Sequence, residues 1–252
     1  MERKALESYL NTYLEIENFQ DYGPNGLQIE GKEEIKKVAF AVSATQQSIS
    51  QAIAAKADTL IVHHGLFWVF HGHRPIIGPF AKRVRPLIQH EINLFGYHLP
   101  LDAHLEVGNA AIIAKKIGAQ NIAPFGDYKG APLGVSAVFP GPKQAGALKQ
   151  ELEKLLDHQV IHAAADNDKI ETIGIITGGA NSGWSQAWKD DLDSYLTGEI
   201  SEHDWHESRE AGVHMFAGGH NATESLGIQA LMQHLQEKFD IECVYFPSDN
   251  PA

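Results

Sequence analysis

Short unbroken apolar runs rich in Val and Ile alternate along the chain with stretches in which apolar residues recur every three or four positions. In the first half, "KKVAFAVSA" (36–44), "DTLIVHH" (58–64) and "NLFGYHL" (93–99) predict strands. Between and around them, "MERKALESYLNTYLEIENF" (1–19), "QQSISQAIAAKA" (46–57), "GPFAKRVRPLIQHEI" (78–92) and "GNAAIIAKKIG" (108–118) predict helices, the last stopped by Gly118. The Pro, Gly and Asp of "NIAPFGDYKGAP" (121–132) mark a boundary. Beyond it, strands are predicted in "LGVSAVFPGP", "QVIHAAA", "IETIGIITGG", "SYLTGEI", "VHMFAGG" and "IECVYF". Helices are predicted in "KQAGALKQELEKLLD", "NSGWSQAWKDDLD", "EHDWHESREAG" and "NATESLGIQALMQHLQEKF". Alternation of this kind defines an α/β protein with mixed sheets covered by helices, organised as two halves, about 1–125 and 126–252.

At 252 residues, 43% hydrophobic and 21% charged, the chain can bury one large core or two small ones. No apolar run approaches the roughly 18 residues of a membrane span, and the Glu-rich first helix does not read as a targeting peptide, so a cytoplasmic protein is expected. A net charge of −12 argues against nucleic acid as the main partner, because such binding needs a basic face that displaces counterions. Lys82, Arg83 and Arg85 form the densest basic group, and their spacing fits the solvated face of a helix. The lone cysteine, Cys243, sits in a strand-like apolar stretch and reads as filler. Phosphate-loop, dinucleotide-binding and nucleophile-elbow motifs are absent.

Fourteen histidines change the picture, since imidazole is both the usual borderline metal ligand and the usual proton carrier near neutral pH. Several follow predicted strands: His63 and His64; His98, Asp102 and His104; His214 and His220, with Glu224 close behind. Ligands of such sheets gather beyond the carboxyl ends of the strands, where these groups would converge. Each has a plainer reading. His63 and His64 on an extended strand point to opposite faces, and serve equally as a polar strand end, as ligands of two neighbouring ions, or as ligands of one ion after a turn at Gly65. Asp102, placed in a loop, could cap a turn. "NATE" fits an N-capping box from Asn221 to Glu224, although a carboxylate in the first turn of a helix also suits a cation. His71 and His73 lie in a Gly-flanked loop and read as surface residues.

"YGPNGLQIEG", "IVHHGLFW", "GYHLPLDAH", "GNAAIIAKKIG", "YLTGEISEHDWHESREAG" and "AGGHNATESLGIQAL", in this order, resemble the Nif-three-like dinuclear metal-centre family, whose bacterial members are labelled GTP cyclohydrolase I type 2 homologues. The resemblance implies two interlocked α/β lobes, two divalent metal ions held by His63, His64, Asp102, His220 and Glu224, and self-assembly into a hexameric toroid. His98, His104 and His206 also fall within its motifs; His98 and His206 become candidates for proton transfer. Iron, zinc, manganese, cobalt and nickel all suit such ligands. The activity implied is a metal-dependent hydrolysis of a small molecule, GTP or another ester or amide. The alternative is a non-catalytic metal-handling or scaffold protein forming a ring.

Overall fold

The computed structural model describes residues 1–252, which divide into two units: Met1–Leu101 with Ile228–Ser248, and Asp102–Gly227 with Asp249–Ala252. The first unit is built on a five-stranded sheet. Its strands are β1 (Gly26–Ile29), β2 (Lys37–Ser43), β3 (Thr59–His64), β4 (Asn93–Gly96) and β11 (Glu242–Tyr245), in the order β1-β4-β3-β2-β11. All neighbours run parallel except β1 against β4. Parallel strands need both faces covered. The central strands are accordingly continuous in apolar residues, with Val38 to Val42 and Leu60 to Val62 buried. Helices α1 (Arg3–Tyr13), α2 (Gln46–Ala54) and α3 (Gly78–Gln89) belong to this unit, with Ile49, Ala52, Phe80, Val84 and Leu87 joining its core. A capping box starts α2: Ser48 N–H donates to Thr45 Oγ1 (3.0 Å), and Thr45 N–H to Ser48 Oγ (2.9 Å).

The second unit carries β5 (Gln120–Tyr128), β6 (Ala131–Gln144), β7 (Ile161–Ala163), β8 (Lys169–Ile175), β9 (Ser194–Thr197) and β10 (His214–Ala217), in the order β5-β6-β8-β9-β10-β7. Only β8, β9 and β10 are mutually parallel; the flanking pairs are antiparallel. Helices α5 (Asn109–Lys116) and α6 (Ala145–Leu156) bury Ala110, Ile113, Leu148 and Leu152 against Ile173, Ile175, Leu196 and Phe216. On another cluster of the same unit, α7 (Trp184–Lys189) and α8 (Glu202–Glu210) contribute Ala187 and Trp205 beside Tyr195 and Met215. Two helices cross the division in sequence: the short α4 (Leu99–Ala103), and α9 (His220–Lys238), whose residues from Ile228 onward belong to the first unit.

The mixed sheets covered by helices agree with the sequence reading, and Gly118 ends α5 in the left-handed conformation (φ 72°). The stretch 121–132, where the sequence reading places its boundary, holds strand β5 and its hairpin turn into β6; β5 is a sheet edge, where Pro124 is tolerated because an outer N–H is dispensable. Two expectations are corrected. Asp102 lies in helix α4 rather than a loop. Helix α9 begins at His220, so Asn221 is inside its first turn and not at the cap position of a box ending on Glu224.

Candidate metal centre

In the first unit the chemistry gathers at the carboxyl ends of the parallel strands. His63 and His64 end β3, Ser43 ends β2, and His98 follows β4. The rings of His63 and His64 do not diverge as an extended backbone predicts: their centroids are 4.6 Å apart, and His98 is 5.0 Å from the first and 5.6 Å from the second. One ring nitrogen from each of the three lies within 4.8 Å of the others. The convergence has a local cause, because each ring is tied by its other nitrogen. His63 Nδ1 donates to the Tyr97 carbonyl (3.0 Å), which puts its lone pair on Nε2. His64 Nδ1 meets Ser43 Oγ at 3.0 Å.

His98 has the most elaborate support. Its Nδ1 is 2.7 Å from Asp21 Oδ1, and its backbone N–H donates to Asn25 Oδ1 (2.8 Å). The Asp21 carboxylate, 2% exposed, also accepts from the Leu99 N–H (2.9 Å), the Tyr22 N–H (2.6 Å) and Asn25 Nδ2 (2.9 Å). Burial alone would raise its pKa, but the hydrogen bonds and charge of His98, with those of Asn25 and Leu99, outweigh burial and hold the carboxyl below its usual range. An ionised Asp21 fixes the proton of His98 on Nδ1 and leaves Nε2 to accept. Sequence reading missed Asp21, although "DYGPNG" overlaps a stretch it singled out.

In the second unit, Asp102, His220 and Glu224 come from α4 and the first turns of α9. Asp102 is buried and accepts at Oδ1 from Asn109 Nδ2 (2.8 Å) and Thr177 Oγ1 (3.1 Å). Glu224 is 2% exposed, with Oε1 at 3.2 Å from His220 Nε2. Carboxylate oxygens of Asp102 and Glu224 lie within 4.8 Å of each other. Two buried carboxylates so close repel, and only protons or a cation relieve that repulsion. The donor set itself, imidazole and carboxylate, fits a borderline divalent ion, so these residues suit a metal.

His220 Nδ1 is 2.6 Å from Glu199 Oε1, a partner that follows β9 and that sequence reading missed. Burial opposes charge on His220, yet Glu224 and then Glu199 outweigh it and push its pKa up to about 9. A cation held at Nε2 would take the place of a proton there. Backbone shape serves the pair as well. Gly178, at φ 68° beyond β8, would with a Cβ stand 2.2 Å from Glu224 Oε1 and 3.1 Å from His220 Nε2.

The remaining candidates sit elsewhere. His104 Nδ1 accepts from the N–H groups of Glu106 (3.2 Å) and Val107 (3.3 Å), a turn-capping arrangement. His206 is exposed on α8, with Nε2 3.3 Å from Glu202, and His71 and His73 are exposed as expected. His214 lies buried at the start of the inner strand β10, hydrogen-bonded to His162 (3.1 Å).

Two α/β units, each placing imidazole or carboxylate groups beyond the ends of its parallel strands, define a protein with a candidate metal-binding cluster. The chain belongs to the Duf34/NIF3 (NGG1p interacting factor 3) family, whose model matches residues 1–251. It is 39% identical to a Yersinia pestis protein named GTP cyclohydrolase 1 type 2 homolog, with all of both chains covered, and 39% identical to a Pyrococcus abyssi protein of the same name, covering 98% of each. Among solved structures it is similar to protein ybgI, described as of unknown function (TM-score 0.93, 36% identity, 100% of both chains), and to TTHA1606 of Thermus thermophilus (TM-score 0.89, 35% identity, 99% of this chain and 100% of that one).

Proposed function

We propose that this protein binds two divalent metal ions through His63, His64, Asp102, His220 and Glu224 and hydrolyses a small organic molecule. The Asp21–His98 pair supports the catalytic part of this reading: a buried carboxylate fixing the orientation and tautomer of an imidazole among other imidazoles is what a proton-transfer group needs. When bound, such ions acidify water and polarise a carbonyl or phosphoryl oxygen. His98 Nε2 takes a proton from the attacking water and returns it to the leaving group, while Asp21 holds the ring's orientation and tautomer. Of the two proton-transfer candidates we assign the role to His98 and not to His206, whose partner is an exposed glutamate. The relatives' name makes GTP the first substrate to test. The family resemblance also implies self-association into a hexameric ring. No helix is long and apolar enough to cross a membrane.

Metal content per chain, measured by plasma mass spectrometry on protein purified without added metal, tests the first half of the proposal. About two ions in the wild type and a marked loss in Glu224→Ala are expected. No metal after incubation with iron, manganese and zinc overturns it. GTP turnover by the loaded protein tests the second half, with His98→Gln expected to lose about 10²–10⁴-fold in rate while keeping its metal. Bound metal with GTP and simple phosphate esters untouched across a wide pH range leaves the non-catalytic, metal-handling function.

A further inference from the structure

A cavity of about 280 Å³ opens in the first unit, walled by Pro24, Phe67, Trp68 and Val69, with His71 and Arg74 beside them. A narrower cleft shares Pro24, Phe67 and Trp68 with it and is lined further by His63 and His98. One continuous wall thus runs from an apolar pocket to the imidazoles of the candidate metal centre. Its aromatic residues are held in place. Trp68 Nε1–H donates to the Gly65 carbonyl (3.1 Å), the Trp68 ring meets His98 edge-on at 5.0 Å, and Phe67 sits edge-on to Phe80 at 5.8 Å.

One cationic group, Arg74, sits beside these apolar walls, in a chain whose net charge is −12. The Arg74 guanidinium rests 4.2 Å over the Phe80 ring and donates through Nη1 to His71 Nδ1 (3.2 Å). That bond makes Nδ1 the acceptor and leaves the His71 proton on Nε2, so Arg74 and His71 together present N–H donors. No carboxylate lines the cavity.

We propose that this cavity binds the substrate, taking a flat aromatic ring against Phe67 and Trp68 and an anionic group on Arg74 and His71. The inference rests on the proposed hydrolase reading and names its substrate class. Flat walls select a planar ring, because stacking area depends on a close face. A guanidinium with spare donors selects phosphate or carboxylate. A ring seated here places its substituents toward the cleft shared with His63 and His98.

Titration calorimetry on the metal-loaded full chain decides the matter, with GMP and UMP as probes and guanosine and ribose 5-phosphate as their separate halves. GMP or UMP is expected to bind at least tenfold more tightly than either half. Arg74 is exposed, so Arg74→Ala should fold; it is expected to weaken the nucleotides about tenfold, leave guanosine unchanged and keep the metal content of the wild type. Trp68→Leu is expected to weaken guanosine as well. No saturable binding of GMP or UMP, or binding indifferent to both substitutions, overturns the proposal. Because metal content is read on the same samples, a protein that holds metal yet ignores the nucleotides refutes this pocket alone, and one that holds no metal refutes the metal reading and with it the pocket's role in hydrolysis.

Discussion

Gly178 is where a single residue decides most about the second unit's candidate ligands. Its φ of 68° disfavours any side chain, and a methyl group there would meet Glu224 Oε1 at 2.2 Å, far inside van der Waals contact. Gly178→Ala is therefore expected to displace the Glu224 carboxylate and lower metal affinity by about tenfold or more. Gly118→Ala is the control for backbone strain, since Gly118 has φ 72° with nothing within 4 Å of its added Cβ. Equal metal affinity in the two variants would show that contact with Glu224 does not govern the site. At this scale the sequence revealed only part of the site. Paired His63 and His64 and the His220–Glu224 spacing were readable because they are local. Asp21 and Glu199 were not, because the side chains they orient lie 77 and 21 residues away and only the fold brings them together.

Elements were legible where one physical signal dominated. Buried parallel strands such as β3 read as unbroken apolar runs, and α2 and α6 read by their periodicity. Strand β5 was hidden for the opposite reason: Pro124, Gly126 and Asp127 are breaker residues, and as an edge strand with mostly exposed or half-buried side chains it lacks the buried run that identifies an inner one. The membership of Ile228–Ser248 in the first unit was equally hidden, since nothing local in α9 marks the crossing at Gly227. Where local chemistry sets a boundary, it can be tested. Thr45→Ala removes the acceptor for Ser48 N–H at the start of α2, and urea unfolding should register a loss of about 0.5–2 kcal/mol. A stability equal to wild type would mean that packing of Ile49 and Ala52 fixes this helix without its cap.

Stability of the whole molecule should carry the signature of one histidine outside the candidate metal ligands. His162 on β7 stacks on Phe216 (4.3 Å between centroids) and meets His214 Nδ1 at 3.1 Å, while His214 also accepts from the Ala165 N–H (3.3 Å) and bonds the Asn167 carbonyl through Nε2. Burial foremost, then the charges of His214 and Lys149, lower the His162 pKa to about 4, with Asp168 opposing. An unfolded chain takes up this proton near the ordinary value of 6.5, the folded one only near 4, so between these limits the unfolded state binds more protons. Stability is therefore expected to be intact above pH 6.5 and to fall as pH drops toward 4. Carboxylates contribute to any acid loss, and His162→Phe separates the terms: it keeps a flat ring over Phe216 and removes the titrating group. Urea unfolding of both proteins at about pH 7 and about pH 4.5 should show a smaller drop in the variant than in the wild type. Equal drops would mean that His162 is protonated in the folded protein without penalty, and that acid sensitivity arises from the carboxylates alone.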